Sequence, residues 1–130
     1  MRERRTKVYF DGGCRPNPGE MAVAVVLRGI VHHRPALGIG TNNDAEWFAL
    51  IHALRIAQDL EAGPFDLLGD SALVVNQANG IWPCRSPELR AHAEMFATLV
   101  AIRAPARIRR VPRSQNLAGI ALDRLYAGGI

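Results

Sequence analysis

The chain has 130 residues, 48% of them hydrophobic, and a formal net charge of +4; that size suits one globular domain with a real core, so 1–130 reads as a single domain. No apolar run approaches the roughly 20 residues of a membrane span, and the basic start lacks an apolar signal core, which argues against a membrane protein and for the cytoplasm. The two cysteines, Cys14 and Cys84, stand far apart and outside any CxxC pattern, so neither a disulfide framework nor a zinc site is indicated.

Residues 1–6 read as a flexible basic N-terminus. The run KVYFD (7–11) then alternates as a strand, with Lys7, Tyr9 and Asp11 on one face and Val8 and Phe10 on the other. Gly12-Gly13 follow at once and leave Asp11 open to a large partner; Asn17-Pro18-Gly19 makes a turn. MAVAVVLRG (21–29) and IVHHRPALGIG (30–40) read as two β-branched strands divided near Gly29, which completes an antiparallel meander.

At 41–63 the spacing becomes helical, with Trp47, Leu50, Ile51, Leu54 and Ala57 on one stripe, Thr41 or Asn43 available as N-cap, and Gly63-Pro64 as the stop. Next come a short apolar strand (65–70), a short helix closed by Gly80 (71–80), and a helix opened by Ser86-Pro87 that runs to about Arg103. A last strand (106–112) and a last helix (114–128) complete the chain. The order defines an α/β domain: a five-stranded mixed sheet, antiparallel first and parallel later, flanked by helices.

Four acids sit where folding does not need a carboxylate. Asp11 and Asp70 end strands that parallel pairing makes neighbours, Glu46 lies in the first turn of the long helix, and Asp123 lies on the last helix. Clustered carboxylates repel unless a cation neutralises them, and an all-oxygen set favours magnesium or manganese over zinc. Each acid also has a plain reading: Glu46 complements the helix dipole, Asp70 caps 71–80, and Asp123 is an exposed helical acid. Arginines gather at 103–113, five with no acid among them, which suits a polyanionic partner or simply a solvated basic surface.

The stretches YFDGGCRPNPG, TNNDAEWFALIHAL, LGDSALVVNQANGIW and SPELR, in this order and at these intervals, resemble type 1 ribonuclease H in its compact prokaryotic form, from about Lys7 to Leu125. The resemblance implies a ribonuclease-H-like fold in which two magnesium ions, or manganese, on a D-E-D-D set cut the RNA strand of an RNA/DNA hybrid and leave a 5′-phosphate and a 3′-hydroxyl. Asp11 looks like the acid shared by both ions, and Glu46 and Asp70 like the next two. Asn17, Asn42 and Asn43 match positions that hydrogen-bond the minor groove, with Gln77 a further candidate; Gly12, Gly13 and Arg113 complete the implied substrate contacts. Asn42 and Asn43 also read as simple turn and capping residues. No feature points to an obligate protein partner.

The chain departs from the family pattern at the fourth acid. The family ends in R-x-x-N-x-x-A-D-x-L-A, which VPRSQNLAGIALDRLY follows through Arg113 and Asn116, but Ile120 stands where the acid is expected and Asp123 comes three residues later. Two readings stay open: either the helix begins later and Asp123 fills the fourth site, or the site has three carboxylates. The second implies a catalytically weakened module that binds hybrid or double-stranded RNA. None of the four histidines lies before the last acid, where some members carry one, so they are assigned no catalytic work. Ala72 replaces a frequent glutamine. Trp47, Phe48 and Phe96 have the spacing of core residues, and Trp82 falls in a loop.

Overall fold

The computed structural model describes residues 4–61 and 63–128. Its strands are β1 (Thr6–Cys14), β2 (Gly19–Leu27), β3 (Ile30–Arg34), the two-residue β4 (Ile39–Gly40), β5 (Phe65–Gly69) and β6 (Arg107–Arg110). The helices are α1 (Asn42–Asp59), α2 (Ala72–Ala78), α3 (Pro87–Ile102) and α4 (Leu117–Gly128), with a single 3₁₀ turn at Arg113–Gln115. The main sheet runs β3-β2-β1-β5-β6. β1–β2 and β2–β3 are antiparallel, whereas β1–β5 and β5–β6 are parallel, as the alternation of strands and helices leads one to expect.

The hairpin between β2 and β3 turns on Arg28 and Gly29, both at positive φ (53° and 77°), with Leu27 opposite Ile30. Such a two-residue turn carries a twist that matches the strands it joins. The stretch 30–40, expected as one strand, is broken. Pro35 has no N–H to give the ladder, and Ala36 takes φ 57°. The chain rejoins β2 through Leu37 N to Met21 O (2.9 Å) and Met21 N to Gly38 O (2.8 Å), and β4 then pairs with the start of β2. At the N-terminus, residues 1–3 of the expected flexible segment lie outside the described residues, while Arg5 is tied to Asp66 at 3.1 Å and Thr6 opens β1.

Both faces of the sheet are covered, which is why β2 reads as an almost unbroken apolar run. Val8, Phe10, Val23, Val25 and Leu27 pack with Trp47, Leu50, Leu54, Val74 and Phe96 from α1, α2 and α3. On the opposite face, Ala22, Ala24 and Val26 meet Ala118 and Leu122 of α4. The large side chains of β2 thus serve the helix layer on one side, and its alanines let α4 lie close on the other. Trp47, Phe48 and Phe96 all join the first cluster, Phe48 only partly buried. No helix among the described residues is long and apolar enough to cross a membrane.

Candidate active site

Parallel pairing of β1 and β5 brings Tyr9 level with Leu68. Two residues further on, each chain delivers an acid at the same edge of the sheet: Asp11 and Asp70. Glu46 arrives from the first turns of α1, which starts at Thr41 through a reciprocal capping box with Asp44. Asp11, Glu46 and Asp70 each offer a carboxylate oxygen, and these atoms lie within 4.8 Å of one another. Asp11 is 2% exposed and Glu46 8%.

Local bonds hold each acid. Gly12 N donates to Glu46 Oε1 at 2.6 Å, so Glu46 does more than complement its helix dipole. Ser71 Oγ, and not Asp70, caps α2 by accepting from Val74 N at 3.2 Å, which leaves the Asp70 carboxylate for other partners. Asn116, fully buried, donates through Nδ2 to Phe10 O (3.0 Å) and to Asp70 Oδ2 (2.7 Å). It locks the acid to the strand beside it. Asn116→Ala would leave both acceptors without that donor and cost about 1–3 kcal/mol, read as a lowered denaturant midpoint with unchanged slope.

Gly12 has a different use from the one its sequence suggests. A Cβ there would stand 2.1 Å from Ala45 O in α1, so the glycine lets the helix approach the strand and deliver Glu46. Gly13, by contrast, has room, with Asn42 Oδ1 3.7 Å away. Because a helix carbonyl cannot yield cheaply, Gly12→Ala would destabilise the fold by roughly 1–3 kcal/mol or more, measured by chemical denaturation, and would loosen the bond to Glu46. Gly13→Ala should cost far less.

Arg113 unites the site. Its Nη1 lies 2.9 Å from Asp11 Oδ1 and 3.0 Å from Asp70 Oδ2, and its Nη2 lies 3.2 Å and 3.3 Å from the two oxygens of Asp123. Expected to touch substrate, this guanidinium is engaged by carboxylates. Asp123 is half exposed and also takes Arg15 Nη2 at 3.1 Å; Arg15 itself lies over the Tyr126 ring at 4.1 Å. α4 begins at Leu117, directly after Asn116. Asp123 therefore sits about 9 Å along the helix axis from its first residue, at 1.5 Å per residue, and is linked to Asp11 and Asp70 through Arg113 from the rim of the same cleft. That cleft, about 370 Å³, is lined by the four acids, Gly12, Gly13, Asn42, Asn43 and Arg113 among others, and Ile120 is not part of its wall.

The asparagines knit the cleft together. Asn17 Oδ1 accepts from Asn42 N (3.1 Å), and Asn42 Oδ1 accepts from Cys14 N (3.0 Å). Thr41, not Asn43, is the N-cap. Gln77 does not belong to the cleft. It is buried, accepts from Trp47 Nε1 at 3.0 Å and donates to Pro83 O at 3.1 Å, so its amide supports the core. His92 pairs with Asp44 at 3.0 Å and packs against the Trp47 and Phe48 rings, and no histidine lines the cleft among the described residues.

Burial pushes the Asp11 carboxyl up to about 6 from its usual 3.8, against the pull of Arg113. Burial, then the charge of Asp11, pushes Glu46 well above the ordinary carboxylate range. Burial works against the charge of Arg113, and Asp11 and Asp70 outweigh it. Two desolvated acids that resist ionising beside a third, with hard oxygen donors only, fit a divalent cation of the magnesium or manganese type.

An α/β sheet with acids at the adjoining ends of two parallel strands and a third on the facing helix defines a class: ribonuclease-H-like domains. Residues 9–122 match the family model described as reverse transcriptase-like. Ribonuclease HI of Halobacterium salinarum is 40% identical over 129 residues, which covers 92% of this chain and 65% of that protein; the chain thus spans about two thirds of that relative's length. The crystal structure of RNase H1 from the same archaeon superposes with a TM-score of 0.86 at 34% identity, over 98% of this chain and 100% of that one. LC11-RNase H1, isolated from compost by a metagenomic approach and solved in complex with an RNA/DNA hybrid, gives 0.79 at 30% identity over 91% and 93% of the two chains. The chain belongs to the ribonuclease H family, type 1.

Proposed function

We propose that the chain is a divalent-metal-dependent endoribonuclease that hydrolyses the RNA strand of RNA/DNA hybrids and leaves 5′-phosphate and 3′-hydroxyl ends. The observation that carries this reading is the cluster of Asp11, Glu46 and Asp70 at the floor of a cleft walled by asparagines. Asp11, Glu46 and Asp70 would hold two magnesium ions, or manganese; when bound, these supply a nucleophile from water at neutral pH and stabilise the charge of the leaving oxygen. Burial holds the Glu46 carboxyl well above the ordinary range, so loading a cation displaces its proton and cation affinity rises with pH. Asn17 and Asn42 spend their amide oxygens inside the protein, which leaves their Nδ2 groups as donors. Donors suit the minor groove of a hybrid, where 2′-hydroxyls and base edges offer acceptors without a sequence code. Arg107, Arg109 and Arg110, exposed on β6, add phosphate contacts, so hybrid affinity should fall steeply between 50 and 200 mM salt, by about an order of magnitude for every few phosphates neutralised. A flat salt response in a filter-binding assay would remove the arginines from the interface.

The position of Asp123 favours a second reading, a hybrid-binding module with weakened catalysis. Asp123→Asn and Ile120→Asp separate the two. If Asp123 assists the site from the rim, Asp123→Asn slows cleavage roughly 10–100-fold, as when an outer partner of a metal site is lost, and Ile120→Asp changes little. If the wild type binds hybrid without cutting and Ile120→Asp cuts, the second reading holds.

A further inference from the structure

On the flank of α1 beside β2 and β3 lies a cavity with two compartments. One, about 260 Å³, is lined by Arg34, Leu37, Phe48, Ile51, His52 and Arg55. The other, about 340 Å³, shares Arg34, His52 and Arg55 and adds His32, His33 and Asp59. Joined, they fall within the usual range of small-ligand pockets, about 300–1,000 Å³. None of the acids or asparagines of the nuclease cleft contributes. His52 stands six residues beyond Glu46, about 9 Å along the helix axis at 1.5 Å per residue.

Two observations converge on the shared wall, and a third lies in the second compartment. Among the described residues neither Arg34 nor Arg55 makes an ion pair, and Arg55 Nη2 meets only Met95 Sδ at 3.6 Å. Burial and the charges of Arg34 and Arg55 together hold the His52 imidazole below its usual pKa, so both guanidiniums act on that one point. His32 Nε2 is buried and without a hydrogen-bond partner. A surface that gathers two unpaired guanidiniums around an imidazole is self-repelling until an anion joins it. The rest of the first compartment's lining, Leu37, Phe48 and Ile51, is apolar, and Phe48, an aromatic ring, is partly buried.

We propose that this cavity binds a nucleoside 5′-monophosphate, with the phosphate between Arg34, Arg55 and His52 and the base against Phe48, Leu37 and Ile51. A phosphate monoester carries about −1.5 to −2 charges, which matches two guanidiniums. Asp59 lines the second compartment, and its charge repels a longer polyphosphate there, which sets the class as monophosphate. The inference rests on this cavity alone and stands apart from the nuclease reading.

The test is a titration of the full chain, ¹⁵N-labelled and in chelator, with adenosine 5′-monophosphate, inorganic phosphate or adenosine, followed by amide shifts. Binding of the nucleotide should centre its shifts on Arg34, His52 and Arg55 and be at least tenfold tighter than that of phosphate or adenosine. The double variant Arg34→Ala, Arg55→Ala should weaken it tenfold or more at unchanged melting temperature, whereas Asp70→Asn should leave it intact. Shifts centred elsewhere, undiminished affinity in the double variant, or phosphate binding as tightly as the nucleotide would each overturn the proposal.

Discussion

Asp70→Asn is expected to abolish hydrolysis of an RNA/DNA hybrid while the variant folds and still binds it. The substitution keeps the shape and an oxygen for Asn116 Nδ2, which now bonds Asp70 Oδ2 at 2.7 Å, so the strand end stays in place. What it removes is one of the three charges that would hold the cations. Their stabilisation of the reaction is worth several kcal/mol, and at 1.36 kcal/mol per decade the loss is roughly a thousandfold or more. Hybrid binding, proposed to rest on the asparagine donors and arginines, should change only modestly. Single-turnover cleavage with a parallel binding isotherm reads both, and retained turnover in the purified variant would remove Asp70 from the metal site.

Asp11→Asn should likewise be inactive, yet in chelator it should be more stable than the wild type at pH 8. The Asp11 carboxyl titrates at about 6 in the fold against 3.8 ordinarily, because it is buried. A raised carboxyl pKa gives a contribution that is fully present below about pH 4 and is lost as pH rises through about 6. At 1.36 kcal/mol per unit, the ionised wild type forfeits about 1–3 kcal/mol at pH 8. Asparagine does not ionise and keeps it. Urea denaturation at pH 8 should therefore favour Asp11→Asn, and the advantage should vanish near pH 4. Equal stability at both pH values would mean that the acid is not strained by burial.

Asp11 and Asp70 were legible as neighbours because a strand period, a helical crossover and parallel pairing fix where two strand ends meet. Their local bonds were less so. Gly12 looks like space cleared for a ligand, since nothing near it in the chain announces that Ala45 O will lie against it. Gln77 looks like a groove amide, but the indole that claims it, Trp47, is 30 positions away. The β-branched composition of 30–40 reads as one strand, but Pro35 breaks it by removing a ladder donor. Asn116 stood in the R-x-x-N stretch, yet its hold on Asp70 spans 46 positions. Arg113 likewise reaches Asp11 across 102. The sequence shows which residues are acids and amides; which oxygens remain free is decided by tertiary packing.

The carboxylate cleft is expected to cut RNA paired with DNA. The measurement that bears on it most directly is cleavage of one hybrid, labelled in turn on each strand, by the wild-type protein in magnesium, manganese or chelator. Cuts are expected in the RNA strand alone, carrying 5′-phosphates, with either metal and none in chelator. Cleavage that persists in chelator, or that falls on the DNA strand, would contradict it.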